Sequence, residues 1–129
     1  SPTRVDLAGG TLDMWPLYNF VGQATTINLA ISIWTKAEIK KRSDSKIIIN
    51  SLDLKKTWEF SNYQALLDSQ DAQIILFQKI LDKFKNFFLK SNAGFELTTS
   101  SESPIGGGLG GSSSLVISIL KGLYQFFKI

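Results

Sequence analysis

Polar and apolar residues alternate in Arg4-Val5-Asp6-Leu7, the two-residue period of a half-buried strand, and Gly9-Gly10 ends it. A longer alternation runs from Ala24 to Arg42, with Ile27, Leu29, Ile31 and Ile33 on one face and Asn28, Ala30, Ser32 and Trp34 on the other. β-Branched residues dominate it, so the pattern predicts one long strand, twisted or bulged partway. Turn residues at Arg42-Ser43-Asp44-Ser45 and at Ser51 to Asp53 separate two further strands, Lys46 to Asn50 and Lys55 to Phe60. Together these predict an antiparallel meander. The period then changes: Ile74, Phe77, Leu81, Phe84 and Phe88 recur at helical steps, with Lys79, Asp82, Lys83 and Lys85 between them. This predicts an amphipathic helix over Ala72 to Lys90 that ends at Asn92-Ala93-Gly94, its aromatic stripe turned to the core. Alternation resumes from Gly94 to Thr99, and Leu115 to Phe127 is apolar almost all round, as in a buried helix.

The chain has 129 residues, which predicts one domain, and its 43% hydrophobic content is ample for one core. It has no cysteine and no histidine, which excludes disulfides, thiolate nucleophiles, Ser-His-Asp hydrolases and most zinc sites. Any metal is then a hard, oxygen-bound cation such as Mg²⁺. Fourteen Lys and Arg against eleven Asp and Glu leave +3, a mild preference for anions that does not by itself argue nucleic acid. Lys40-Lys41-Arg42 reads as solvated charge at a strand end. No apolar run reaches membrane-spanning length and the first residues lack a signal-peptide layout, so the expectation is a soluble, cytoplasmic protein with no membrane partner. The missing initiator Met and the uncapped Ile129 suggest part of a longer chain.

Five of the ten glycines fall within residues 106–111, just before the last helix. Bare backbone there can approach a ligand closely, direct several N–H groups into one concavity, and add the partial positive charge of a helix N-terminus. The expected guest is a phosphate. Ser112, Ser113 and Ser114 stand where N-caps stand, and their hydroxyls could also reach a phosphate oxygen or Mg²⁺. A connection whose serines merely cap the helix is the alternative, but so many glycines raise its ordering cost. The Walker pattern fails, because Ser112 takes its lysine position. The dinucleotide pattern is met literally by Gly106, Gly108 and Gly111, yet no strand leads directly into it.

Pro104-Ile105-Gly106-Gly107-Gly108-Leu109-Gly110-Gly111-Ser112-Ser113 resembles the phosphate-binding motif P-x-x-x-G-L-G-[SG]-S-[SA] of the GHMP kinases, the superfamily of galactokinase, homoserine kinase, mevalonate kinase and phosphomevalonate kinase. Pro2-Thr3-Arg4-Val5-Asp6-Leu7-Ala8-Gly9-Gly10-Thr11-Leu12-Asp13 is similar to the superfamily's N-terminal motif in its sugar-kinase form, with Leu12 between Thr11 and Asp13. The likeness points to the branch of heptose-phosphate and fucose kinases and covers the chain as an N-terminal half.

The resemblance implies an α+β domain like domain 2 of ribosomal protein S5, a mixed, largely antiparallel sheet with helices on one face and a left-handed βαβ crossover. It implies that Pro104, Gly106, Gly107, Gly108, Leu109, Gly110 and Gly111 wrap the phosphates of ATP. Ser112 would reach Mg²⁺, with Ser113 as its helper. It sets Arg4 beside the γ-phosphate and the acceptor hydroxyl, although a surface arginine at a strand end is the plain alternative. Asp13 would hold acceptor hydroxyls, or simply form a turn, and Trp15 and Tyr18 would wall a sugar or plug the core. Asn28 and Glu102 are weaker candidates. A catalytic carboxylate in these kinases follows the glycine-loop helix, whereas nothing acidic follows Glu102 here. The expected function is the N-terminal part of an ATP-dependent kinase of a sugar or sugar phosphate, inactive on its own. The alternatives are a non-catalytic ATP- and sugar-binding sensor and, last, a nucleic-acid-binding domain.

Overall fold

Alternation makes the strands where it predicts them, but the strands pair in another order. The computed structural model describes residues 1–129 except Asp13, Asn92, Ala93 and Ile105. Strand β1 (Pro2–Ala8) lies antiparallel to β2 (Ile27–Lys41), and β3 (Ile47–Ser51) lies antiparallel to β4 (Lys56–Phe60). Strand β5 (Phe95–Ser101) enters between them, antiparallel to β2 and parallel to β3, giving the order β1-β2-β5-β3-β4. The expected antiparallel meander is thus corrected: β2 and β3 are not neighbours. The segment from β4 to β5 crosses the sheet and returns its last strand to the centre.

Strand β2 serves two partners in turn, Ile27 to Trp34 pairing with β1 and Thr35 to Lys41 with β5. The register with β1 slips between Pro2 and Thr3, which face Trp34 and Ile31, so β2 carries the expected irregularity partway. Its first half also departs from the face read in the sequence. Ile27 and Leu29 are more than half exposed, while Thr35 is fully buried.

The predicted helix over 72–90 is divided into a 3-10 turn at Ala72–Ile74, then α3 (Ile75–Asp82) and α4 (Lys85–Ser91). The break is a stretch of i→i+3 hydrogen bonding, Lys83 to Ile80, Phe84 to Leu81 and Phe87 to Phe84. It brings Phe84, Phe87 and Phe88 all against Phe127. Two short helices escape periodicity altogether, α1 (Leu17–Val21) and α2 (Tyr63–Leu67). The second is started by Asn62, whose side chain accepts from the Ala65 N–H. Of the expected stop at Asn92-Ala93-Gly94, the first two residues lie outside the described ones. Gly94 packs so tightly that a Cβ there would overlap the carbonyls of Asp44 and Lys46.

The last helix, α5 (Gly111–Phe127), starts four residues before the expected Leu115, because the serines are helical rather than capping. It is also buried on one stripe only, Leu115, Ser118, Ile119 and Leu123, with Ile117 and Tyr124 outside. Ser118 seals α5 to β2 through hydrogen bonds with the side chain and carbonyl of Thr35. The core joins Ile47, Ile49, Phe95 and Leu97 of the sheet to Leu66, Phe77, Leu81, Phe88 and the α5 stripe. Tyr63 sits inside it, its hydroxyl donating to the Leu81 carbonyl at 2.8 Å, and burial followed by Asp82 pushes the phenol up to about 12. No helix among the described residues is long and apolar enough to cross a membrane.

Asp71 ties the crossover to β4: its carboxylate accepts from Lys56 Nζ at 2.6 Å, Trp58 Nε1 at 2.9 Å and the Gln73 N–H at 2.9 Å. Those donors, Lys56 first, hold its carboxyl down at about 2. Because the folded value lies below the ordinary one of roughly 3.9, this stabilisation is complete above about pH 4 and is lost as pH falls through about 2. Asp71→Asn should therefore flatten the dependence of unfolding free energy on pH across that interval, measured by urea denaturation. An acid slope identical to that of the unchanged protein would refute the assignment.

Candidate functional site

The glycine segment lies at the seam between β5 and α5. Pro104 and Gly107 close a turn through a 3.0 Å backbone hydrogen bond, and Gly106, Gly108 and Gly110 take positive φ of 76°, 68° and 65°. Side-chain-bearing residues are strained in that region, so these alternate glycines are a requirement of the loop's path. Gly111 is small for another reason: a Cβ there would stand 2.8 Å from Ser103 Oγ.

Helix α5 begins at Gly111 behind Gly110, and no side chain caps it. Its first turn holds no acidic residue, and its first internal bond at the loop is Ser114 N–H to the Gly110 carbonyl. The N–H groups of Gly111, Ser112 and Ser113 are those a helix start leaves without intrahelical partners. They border a cavity of about 270 Å³ lined by Pro104, Gly106 to Gly111, Ser112, Ser113, Leu115, Ser101, Ser103 and Asp53. A 17-residue helix that starts at a glycine-walled cavity offers an anion both a favourable field and free backbone donors.

A second cavity, about 290 Å³, adjoins the first and shares Gly110 and Ser113 with it. Arg4, Thr3, Asn28, Ala30 and Ile117 line it. Strand β1 holds the loop in place: the Arg4 N–H donates to the Leu109 carbonyl at 3.2 Å, and Ser114 Oγ donates to the Pro2 carbonyl at 2.9 Å. The Arg4 guanidinium is half exposed and pairs with Asp6 at 3.3 Å.

The structure thus brings Arg4 and Asn28 together with Pro104, Gly106 to Gly108, Leu109, Gly110, Gly111, Ser112 and Ser113. Trp15 and Tyr18 border neither cavity, and both are exposed at or before α1. Asp13 lies outside the described residues. Glu102 is engaged with β2, accepting from the Trp34 N–H at 2.8 Å and pairing with Lys36 at 3.7 Å. Ser112 and Ser113 are exposed in the first turn of α5, where their hydroxyls can serve a phosphate or a hard cation. No group of three acidic residues able to hold a metal occurs among the described residues. Asp53, Ser101 and Ser103 were not anticipated. For Asp53 the signal lay in the parallel pairing of β3 with β5, which sets the turn after one strand beside the loop after the other, whereas Ser101 and Ser103 directly precede the loop in the chain.

The profile of the GHMP kinases N terminal domain matches residues 75–129. Over all 129 residues the chain is 33% identical to D-glycero-alpha-D-manno-heptose 7-phosphate kinase of Campylobacter jejuni, covering 37% of that protein. In three dimensions it matches a D-glycero-D-manno-heptose 1-phosphate kinase from Bacteroides thetaiotaomicron with a TM-score of 0.79 at 25% identity, across 99% of this chain and 41% of the other. The mevalonate kinase of Methanococcus jannaschii matches with a TM-score of 0.71 at 28% identity, across 98% and 39%. The chain is thus similar to the GHMP kinases along its whole length, and its C-terminal part matches their N-terminal domain. Its fold is that of their N-terminal domain, and it spans about two fifths of the length of these relatives.

Proposed function

We propose that this chain is the nucleotide-binding N-terminal part of an ATP-dependent small-molecule kinase that transfers the γ-phosphoryl group to a hydroxyl of a sugar or sugar phosphate. The observation that carries the reading is the meeting of two cavities at Gly110 and Ser113, one walled by backbone donors and the other by Arg4. A polyphosphate fits the first: its lining offers an uncapped helix start, and at Gly106 and Gly108 open space surrounds the backbone where a side chain would otherwise project.

In this reading the amides of the loop and of Gly111 to Ser113 hold the phosphate oxygens and fix the terminal group toward the second cavity. Arg4 lies where charge gathers on the transferred group, and its fork can hold two equatorial oxygens. Asn28, on the same wall, can orient an acceptor hydroxyl. Ser112, with Ser113 beside it, would hold Mg²⁺, which when bound neutralises phosphate charge. The heptose-phosphate kinase relatives support a phosphorylated or free sugar as acceptor.

A sensor that binds ATP and sugar without turnover is the second reading. It is favoured by one observation: among the described residues lining the Arg4 cavity there is no carboxylate to take the acceptor's proton. Calorimetry of the full-length protein with magnesium and a non-hydrolysable ATP analogue should show saturable binding. A coupled assay over a panel of sugars and sugar phosphates should then show ADP release with one of them. Absence of nucleotide binding would overturn both readings, and binding without ADP release across the panel would leave the sensor.

A further inference from the structure

The lining of the glycine cavity includes one residue from the turn after β3. Ser51 and Thr99 are neighbours in the parallel register of β3 and β5, and the Leu52 N–H donates to the Thr99 carbonyl at 2.9 Å. That pairing delivers the turn over residues 52–55 to the edge of the sheet from which the glycine loop departs. Asp53, in that turn, is the one carboxylate among the described residues that line the cavity.

Asp53 is also unsatisfied. Its Oδ1 is buried with no hydrogen-bond partner, as are the hydroxyls of Ser51 and Thr99 on the paired strands, although only Asp53 of the three lines the glycine cavity. These three make up most of the orphaned polar side-chain atoms among the described residues, the remaining one being Thr3 Oγ1 at the Arg4 cavity. Buried polar atoms are ordinarily paired, and an orphaned charged acceptor is the costliest kind to leave so. Asp53, as the orphaned acceptor that lines the cavity, therefore points to a donor supplied from it.

Which donor this is follows from charge. The glycine lining is suited to a polyanion, and a carboxylate facing the same phosphates would repel them. An ionised carboxylate accepts only, so its counterpart is a cation or an N–H or O–H donor, and of the groups that a nucleotide itself carries only N–H and O–H groups qualify. In a nucleotide those groups belong to the nucleoside: an exocyclic amine of the base or a ribose hydroxyl. We infer that Asp53 is a nucleoside-orienting residue, accepting a hydrogen bond from the base or sugar of the bound nucleotide in the cavity that the glycine loop lines. The inference rests on the nucleotide reading of that loop, and it adds selection of the nucleoside by a residue on a different strand pair.

The test uses the full-length protein and inorganic tripolyphosphate beside ATP, so that phosphate and nucleoside contributions separate. Asp53→Ala should weaken ATP binding about tenfold, the loss of one hydrogen bond to a charged group, while tripolyphosphate stays within twofold or binds more tightly. Asp53→Asn, which keeps an acceptor oxygen of the same shape, should fall between. Circular dichroism and thermal melting check that both variants fold, and the asparagine variant decides the matter if the alanine variant does not. Purine riboside triphosphate, 2′-deoxy-ATP and 3′-deoxy-ATP each lack one donor. One of them should bind the unchanged protein about tenfold more weakly than ATP and be indifferent to Asp53→Ala, which identifies the group that Asp53 holds.

Equal losses for ATP and tripolyphosphate would overturn the inference, as would no loss for either, no analogue defect, or a loss that disappears when EDTA removes magnesium. If neither ATP nor tripolyphosphate binds the unchanged protein, the nucleotide reading itself fails. If tripolyphosphate binds and Asp53 is silent, only the present inference does.

Discussion

Replacing Arg4 with alanine is expected to lower kcat for phosphoryl transfer about 10²- to 10³-fold in the full-length protein, with KM for ATP moving less than threefold. The two quantities separate because Arg4 has two independent roles. Its main-chain N–H donates to the Leu109 carbonyl and so steadies the glycine loop, a contact that any residue but proline retains. Arg4 lines the adjoining cavity with Asn28 and Ser113, where on the proposed reading charge develops only as the phosphoryl group moves. Loss of the half-exposed ion pair with Asp6 costs little, about 0–1 kcal/mol, so the variant stays folded. Arg4→Lys should recover part of the rate, since an ammonium supplies the charge but not the two-pronged geometry. A kcat within threefold of the unchanged protein, or a rise in KM that accounts for the whole loss, would assign Arg4 to the scaffold instead.

How much of this was legible beforehand divides along a physical line. The strands at Arg4 to Leu7, Lys46 to Asn50 and Gly94 to Thr99 could be read because alternation is a local consequence of the pleat. The glycine loop could be read because Gly106, Gly108 and Gly110 are needed by backbone conformation alone. What could not be read was pairing. A meander is the cheapest order for three consecutive strands, and nothing local says that β5 will displace it by entering between β2 and β3. With that order missed, Asp53 remained an ordinary turn residue, since its place at the glycine cavity exists only through the parallel register. The division of the helix over 72–90 has the same origin: it contains neither glycine nor proline between Ile75 and Ser91, and its interruption follows from where Phe84 and Phe88 must pack. Ile27 and Leu29 show the converse, an alternation correctly read as strand whose apolar face lies open to solvent.

The same aromatic packing sets the largest expected change in stability. Phe88→Ala should destabilise the chain by about 3–5 kcal/mol, the usual cost of deleting a buried phenyl ring, out of a total that is commonly 5–15 kcal/mol. Phe88 is 2% exposed and touches three rings from three other elements: Tyr63 of α2 at 4.9 Å, Phe95 of β5 at 4.8 Å and Phe127 of α5 at 4.8 Å. Phe95 is the first residue of β5 and Phe127 the last of α5, so Phe88 pins together the far ends of the two elements whose near ends carry the glycine loop. Removing it should loosen the loop's supports without touching the loop. Thermal unfolding should therefore show a large drop in Tm, and a non-hydrolysable ATP analogue should raise Tm in the variant by binding the folded state alone. A loss below about 1 kcal/mol in urea denaturation would mean that the neighbouring rings close the space, and would remove the mechanical link between the aromatic cluster and the site.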